Sequence, residues 1–219
     1  MRYYRKLCLI LAMTIAAVTM LGGCTKFDCS GYIQAMLDSI YKGDHAAYAK
    51  LTKLSEERLA ENYEEGINAE IETLISYMNI SESSSYVNEA TRSNAREMFK
   101  KIYQYANYTV GEADAKGNVT VTIQPINIYQ LAQDELMTYN NDFYTRNDNG
   151  EFASMEDEEF YSTYIQGAID ILNKYVDQIG YGAPQDVTVR VKANSQNVYS
   201  IKDSEFLELD KYIINYVSQ

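Results

Sequence analysis

Apolar residues recur every three or four positions through residues 31–104, which is the spacing of helices that bury one face. The segments that keep this spacing are 31–42, a short helix after Asp44, 55–78 and 87–102. Gly43 ends the first segment, and Ser55 with two following glutamates opens the third, as helix termini often do. The first half of the chain is therefore predicted to be helical.

Near Tyr108 the pattern changes to an alternation of apolar and polar residues, which is typical of half-buried strands. Tyr108 and Val110 form one such run, and residues 119–123 form the next across a turn at 115–118. A second pair of runs, 187–191 and 198–201, flanks a turn at 194–197. Two antiparallel hairpins are therefore predicted.

Further helices are predicted around these hairpins. They cover residues 128–144, a segment from Ser154 to Ile179 after a polar loop at 145–153, and a closing segment that begins at Asp203. Because each hairpin has one apolar face, the predicted fold class is α+β, with helices packed on a four-stranded antiparallel sheet made of two hairpins. Residues 31–219 are predicted to form a single α+β domain.

The N-terminus has the pattern of an export signal. Arg2, Arg5 and Lys6 precede an apolar run at residues 7–21. As a helix this run would reach roughly 22 Å, which is short of the ~30 Å hydrocarbon core of a bilayer. The run is therefore a poor permanent membrane span.

The end of the apolar run, Leu21-Gly22-Gly23-Cys24, resembles the lipobox of bacterial lipoprotein precursors. The resemblance implies that residues 1–23 are a signal peptide and that the thiol of Cys24 is the lipid attachment site. Two acyl chains make a stable anchor where one is marginal. Residues 24–30 would then form a lipidated tether, and the protein would be lipid-anchored at the outer face of the bacterial cell membrane.

Charge narrows the range of partners. Residues 24–219 contain 16 basic and 31 acidic residues, a formal charge of −15. This charge excludes nucleic acid as a partner and predicts repulsion from an anionic lipid surface, so that membrane contact would rest on the lipid anchor. Cys29 is the one thiol left after Cys24, and it is either inert or available for an intermolecular bridge.

The order of helices, strand pairs and a closing helix after Asp203 resembles uncharacterised small lipoproteins of Gram-positive bacteria. In those proteins a lipobox signal is followed by a domain similar to the cystatin-like or nuclear-transport-factor-like α+β folds. The resemblance implies a curved sheet wrapped on a long helix. The resemblance implies no particular activity for this chain.

Candidate catalytic chemistry is sparse. His45 is the one histidine, and no nucleophile is predicted beside it. The acids of 156–159 occupy the first turn of a predicted helix, where the helix dipole favours them. Residues 145–156 resemble a calcium loop in spacing, but Thr145 stands where aspartate is expected. No catalytic residue, metal site or cofactor is predicted.

Aromatic, amide and carboxylate side chains mix around the end of the predicted helix 128–144. Tyr139, Tyr144, Asn147 and Asp148 are the predicted ligand-binding residues, because sugars stack on such rings and hydrogen-bond to such groups. The leading hypothesis is a membrane-anchored extracytoplasmic lipoprotein with a non-enzymatic binding or sensing domain for a cell-wall glycan, a peptide or a protein. A carboxylate-dependent cell-wall hydrolase and a small solute-binding lipoprotein of a transporter remain open as alternatives.

Overall fold

The structure is a computed structural model that describes residues 16–17, 27–195 and 198–216. Cys24 and most of the predicted signal peptide lie outside the described residues. The helices are α1 (Cys29–Leu37), α2 (Ala46–Thr52), α3 (Glu56–Tyr77), α4 (Glu89–Tyr103), α5 (Ile128–Asp148), α6 (Asp157–Tyr175) and α7 (Asp203–Asp210). The strands are β1 (Ala16–Ala17), β2 (Asn107–Val110), β3 (Asn118–Gln124), β4 (Gln185–Arg190), β5 (Lys192–Ala193) and β6 (Val198–Ser200).

The chain divides into two units that are interleaved along the sequence. We call them the sheet unit (Met1–Gly66, Ala106–Pro125 and Gly182–Ile214) and the helical unit (Ile67–Tyr105, Ile126–Tyr181 and Asn215–Gln219). Helix α3 begins in the first and ends in the second. The single domain over residues 31–219 stays a prediction.

The sheet unit contains an antiparallel sheet in the order β2-β3-β4. In β3 the side chains of Val119, Val121 and Ile123 are fully buried, while Thr120 on the opposite face is exposed. The exposed face continues across to β4, where the hydroxyls of Thr120 and Thr188 lie 3.1 Å apart. The alternation that predicted the first hairpin thus separates a buried face from a wet one.

The predicted four-stranded sheet made of two hairpins is wrong, although the α+β class fits. Val187 and Val189 of β4 pair with Val121 and Val119 of β3, so β4 joins the first hairpin as a third strand. The ladder ends at Val191, whose N–H donates to the carbonyl of Gly117 at 2.9 Å. Beyond it β5 pairs with β6 in a separate short sheet, to which β1 is also paired. The chain changes partner strand at Val191.

Helix α1 begins two residues before the predicted start at Gly31. Asp28 caps it by accepting a hydrogen bond from the N–H of Gly31 at 2.8 Å. The helix continues into a π-helical turn, Asp38–Lys42. Gly43 ends that turn with a φ of 68°, a left-handed conformation that favours glycine.

The helical unit is built around α6, which packs against both α5 and α4. Ile165, Ala168, Ile169 and Leu172 form its fully buried stripe. Helix α5 begins at the predicted Ile128 but runs through Asp148, four residues beyond the predicted end. Helix α6 has Glu156 at its N-cap, so the predicted cap at Ser154 is not used.

Tyrosines of the helical unit surround a carboxylate from α3. Glu70 accepts hydrogen bonds from the hydroxyls of Tyr103, at 3.0 Å, and Tyr216. The ring of Tyr129 packs at 4.6 Å from that of Tyr216 and at 4.7 Å from that of Tyr77. Burial is the main cause that raises the pKa values of Tyr129 and Tyr216, with the charge of Glu70 adding to it. Both hydroxyls are therefore harder to ionise than that of an exposed tyrosine.

Within the described ranges, no helix is both long enough and apolar enough to cross a membrane.

Candidate functional site

A groove of about 460 Å³ opens on the helical unit beside α4, α5 and α6. Its lining mixes aromatic rings, amides, hydroxyls and charges. The lining residues are Asn88, Thr91, Tyr139, Phe143, Arg146, Glu159, Ser162, Thr163, Gln166, Gly167 and Asp170. Eight of these eleven residues are polar or charged, so the groove is polar, with aromatic surface from Tyr139 and Phe143.

Tyr139 enters the groove wall through a notch in α6. A Cβ built on Gly167 would lie 2.2 Å from the hydroxyl of Tyr139, so a glycine is needed where the ring crosses the helix. The hydroxyl donates to the carbonyl of Tyr164 at 3.0 Å. Burial raises the pKa of Tyr139, which keeps the phenol neutral. The notch explains why a helix interior tolerates glycine here.

Hydrogen bonds within the protein orient the polar side of the groove. The amide of Gln166 donates to the carboxylate of Asp170 and accepts from the amide of Asn94, both at 2.8 Å. Ser162 accepts from the backbone N–H of Asn88 at 2.9 Å. These bonds fix the orientation of the amide and the hydroxyl, so binding would lose little of their rotamer freedom.

Arg146 lines the groove and forms an ion pair with Glu151. Its guanidinium donates to both carboxylate oxygens of Glu151, at 2.5 and 2.8 Å, and lies 5.0 Å from the ring centre of Phe152. The hydrogen bonds from Arg146 lower the pKa of Glu151. The bidentate geometry holds the arginine in one place.

The two carboxylates of the groove lie far apart. Glu159 and Asp170 are both on α6, eleven residues from each other, which at ~1.5 Å per residue is roughly 16 Å along the axis. The two carboxyl groups of glycosidases stand ~5 to 9.5 Å apart. These two acids therefore do not form the pair that a carboxylate-dependent hydrolase would need.

Of the four predicted ligand-binding residues, the structure places Tyr139 in the groove lining. Tyr144 is 40% exposed, and its ring meets that of Tyr164 edge-on at 5.5 Å. Asn147 and Asp148 are exposed in the last turn of α5. The predicted lipid attachment site, Cys24, lies outside the described residues.

The calcium-loop spacing at 145–156 begins in α5, and the acidic run at 156–159 lies at the start of α6. Thr145 and the three residues after it belong to α5, so the start of the calcium-loop spacing is helical. Among the residues that the structure describes, no three His, Cys, Asp or Glu side chains are grouped to hold a metal ion. The acids Asp157, Glu158 and Glu159 occupy the first turn of α6, as the helix dipole favours.

The sheet unit brings a serine to the single histidine, which the sequence pattern did not indicate. The hydroxyl of Ser39 lies 2.9 Å from Nδ1 of His45. Ser39 is only 2% exposed, so a substrate has no access to its hydroxyl. Burial lowers the pKa of His45, and the charges of Asp44 and Glu56 oppose that shift. The contact is a partly buried hydrogen bond that joins the π-helical turn to the residue before α2.

A third cluster surrounds Asp38 at the start of that turn. Its carboxylate accepts from the amide of Gln34 at 2.8 Å and from the hydroxyl of Tyr108 at 2.7 Å, and it pairs with Lys42 at 3.1 Å. Burial alone would raise the pKa of Asp38, but the three partners together lower it. The carboxylate therefore holds α1 to β2 as an anion.

Comparisons with known proteins reach one solved structure. The chain is similar to the crystal structure of a predicted lipoprotein, ycdA, from Bacillus subtilis subsp. subtilis str. 168, with a TM-score of 0.60 and 18% identity. The match covers 86% of this chain and 57% of that one, so this chain spans little more than half of that protein's length. At this identity the likeness shows the fold alone.

No family model matches the chain. No curated protein matches it either. The neighbour is consistent with the resemblance to Gram-positive lipoproteins, whereas a cystatin-like or nuclear-transport-factor-like fold is not confirmed.

Most groove residues escaped prediction because they lie on α6, which the sequence pattern assigned to the core. Gln166 and Asp170 stand one turn apart on the polar side of that helix, next to Gly167. A glycine inside the most regular amphipathic helix of the chain is the signal that could have found them, because it predicts close approach of another side chain.

Proposed function

We propose that the protein is a lipid-anchored binding protein at the outer face of a bacterial membrane and that its helical unit holds a cell-wall glycan. The lipobox at residues 21–24 supports this location at the membrane, and the likeness to a predicted lipoprotein is consistent with it. The groove of the helical unit supports the proposed glycan binding. No step of bond cleavage is part of the proposal.

The ordered polar lining of the groove is the observation that carries the proposal. Tyr139 and Phe143 offer aromatic surface, and Gln166 and Asp170 offer amide and carboxylate groups already held by hydrogen bonds. A sugar hydroxyl both donates and accepts, so it can use the carboxylate and the amide together. The groove follows three turns of α6, which suits an elongated chain of sugars.

The test is a titration of the mature chain, from residue 24, carrying Cys24→Ser so that it stays in solution. Oligomers of N-acetylglucosamine and soluble glycan strands released from cell walls are the probes, and NMR shifts or calorimetry report binding. We expect saturable binding, with shifts at Tyr139, Gln166 and Gly167. Glu159→Gln removes a charged acceptor from the rim and should weaken binding by about threefold to tenfold.

Glu158→Gln is the matched control. Glu158 is the chain neighbour of Glu159, is exposed like it and lies in the same first turn of α6, but it does not line the groove. Equal weakening by both substitutions would refute the groove as the binding site. Absence of any shift at millimolar glycan would refute the ligand class, and release of shortened glycan would refute a non-enzymatic role.

A further inference from the structure

The chain is packed against the rest of the sheet unit only a few residues after the predicted lipid attachment site. Phe27 is already buried, and its ring stacks on that of Tyr199 with centres 3.7 Å apart. Only Thr25 and Lys26 separate it from Cys24. Three Cα-to-Cα steps span at most roughly 11 Å, so a lipid on Cys24 would keep the surface around Phe27 within that distance of the bilayer.

Two loops pack against this point of entry. A Cβ built on Gly117 would lie 2.6 Å from the carbonyl oxygen of Val191 and 3.7 Å from Sγ of Cys29, the first residue of α1. Gly117 belongs to the turn between the Asp114 carboxylate and β3, and Val191 separates β4 from β5. The β2–β3 turn, the β4–β5 junction and the start of α1 therefore meet in one place.

Four exposed basic residues stand around that meeting point: Lys116, Arg190, Lys192 and Lys202. The guanidinium of Arg190 donates to the backbone carbonyl of Lys116 at 3.2 Å. One carboxylate oxygen of Glu205 accepts the backbone N–H groups of both Arg190 and Lys202. Lys192 pairs in register with Ser200, two residues before Lys202.

None of these four side chains forms an ion pair within the described part of the chain, unlike Arg92, Arg96 or Lys174. The pKa of Asp114 is lowered by hydrogen bonds from Asn118 and, in smaller part, by the charge of Lys116. Three nearby acids, Asp28, Asp114 and Glu205, accept hydrogen bonds from backbone N–H groups. Glu112 and Asp203 are the other acids of these segments. With four cations and five acids these segments have a formal charge of −1, in a body of −15.

We infer that this surface, which we call the entry face (Phe27, Lys116, Arg190, Lys192 and Lys202), lies against the phosphate layer of the membrane. The inference rests on lipidation of Cys24 in the proposed function and adds an orientation to it. Screening over ~8 Å at physiological salt removes the influence of distant acids, so the nearly balanced local charges and the short tether decide the contact. The repulsion expected from the charge of −15 is therefore much weaker at this face, where the formal charge is −1.

The experiment uses the lipidated protein, purified from membranes and reconstituted in vesicles. Ser195 is exposed in the segment between β5 and β6, and Ser195→Cys carries an environment-sensitive fluorophore there. A quencher on the lipid headgroups reports contact. We expect strong quenching in vesicles that contain phosphatidylglycerol, weaker quenching in phosphatidylcholine alone, and a decrease at high salt.

Substitutions separate contact from mere proximity. A ten-residue Gly-Ser insertion between Lys26 and Phe27 releases the tether, and in that background quenching should persist in phosphatidylglycerol. Adding Lys192→Gln and Lys202→Gln should then lower the ratio of docked to undocked protein by about fivefold per cation. Lys50→Gln with Lys101→Gln is the control, because both residues are exposed and lie on α2 and α4.

The two proposals fail in different ways. A free Cys24 thiol, detected by mass spectrometry, or protein that does not enter the vesicles would overturn lipidation. Lipidated protein whose Ser195 probe stays unquenched would overturn the entry face alone. So would loss of quenching on tether release, or an equal effect of the control pair.

Discussion

The sheet unit and the helical unit differ in charge more than in size. From residue 24 onward the sheet unit has ten basic and fifteen acidic residues, and the helical unit has six and sixteen. Their formal charges are therefore −5 and −10. The entry face belongs to the first and the groove to the second. In the two proposals, membrane contact therefore falls to the less acidic unit and ligand contact to the more acidic one.

The two units share one kind of contact despite this difference in charge. Each holds its helices with tyrosine hydroxyls on carboxylates. In the sheet unit Tyr108 donates to Asp38 and Tyr41 to Asp210, at 2.7 and 2.8 Å. In the helical unit Tyr103 donates to Glu70. A phenol packs like an apolar ring while its hydroxyl satisfies a partly buried charge, which explains why tyrosine stands at these three positions.

The largest expected effect comes from truncating a buried side chain in the core of either unit. Ile169→Ala in the helical unit and Ile123→Ala in the sheet unit each remove a fully buried side chain, and each should lower the free energy of unfolding by about 2–5 kcal/mol. Amide hydrogen exchange should show lost protection first in α4–α6 for the former and in β2–β4 for the latter. Identical exchange profiles for the two variants would mean that the division into units has no energetic counterpart.

Two helix-interior glycines should respond in opposite directions. Gly167→Ala in the helical unit displaces the Tyr139 ring and should cost about 1–3 kcal/mol of stability as well as weaken glycan binding. Gly66→Ala in α3 of the sheet unit meets no atom within 4 Å and should stabilise by about 0.5–1 kcal/mol. Thermal unfolding of both variants measures the difference. A stabilising Gly167→Ala would contradict the notch.

A further expected effect concerns the loss of stability in acid and the carboxylate of Asp38. Because its pKa is lowered in the folded state, the carboxylate contributes stability that is present above its ordinary pKa of about 4 and is lost as pH falls through the folded value. Asp38→Asn should cost about 1–2 kcal/mol at pH 7 and flatten the loss of stability below pH 4. Denaturation midpoints between pH 2 and 7 test this, with the exposed Asp186→Asn as control. If Asp38→Asn loses stability below pH 4 as steeply as the unmodified protein, the ionised Asp38 carboxylate does not stabilise the fold.

Local periodicity predicted the helices and the first hairpin because those elements depend on neighbours in the chain. It failed for β4. The alternation of Val187 and Val189 is satisfied equally well by pairing with β3 or with β6, so the pattern contains no information on the choice. The division into units is likewise absent from the pattern, because α3 keeps one apolar stripe through both.

The groove was predicted in part. Tyr139 came from the mixture of aromatic and polar residues near the end of α5, but Asn147 and Asp148 were assigned to a loop that the structure continues as helix. A helix turns each successive side chain by about 100°, so residues that are close in sequence point in different directions. Gln166 and Asp170 reach the groove from α6, a meeting that only the tertiary packing determines.

The most direct test of the account is the chemical state of Cys24 in cells. Intact-mass analysis of the membrane-extracted protein should show a chain that begins at Cys24 and carries a diacylglyceryl group, while Cys24→Ala should remain unprocessed and unlipidated. A mature protein with an unmodified Cys24, or one cleaved at another residue, would contradict both the anchor and the orientation built on it.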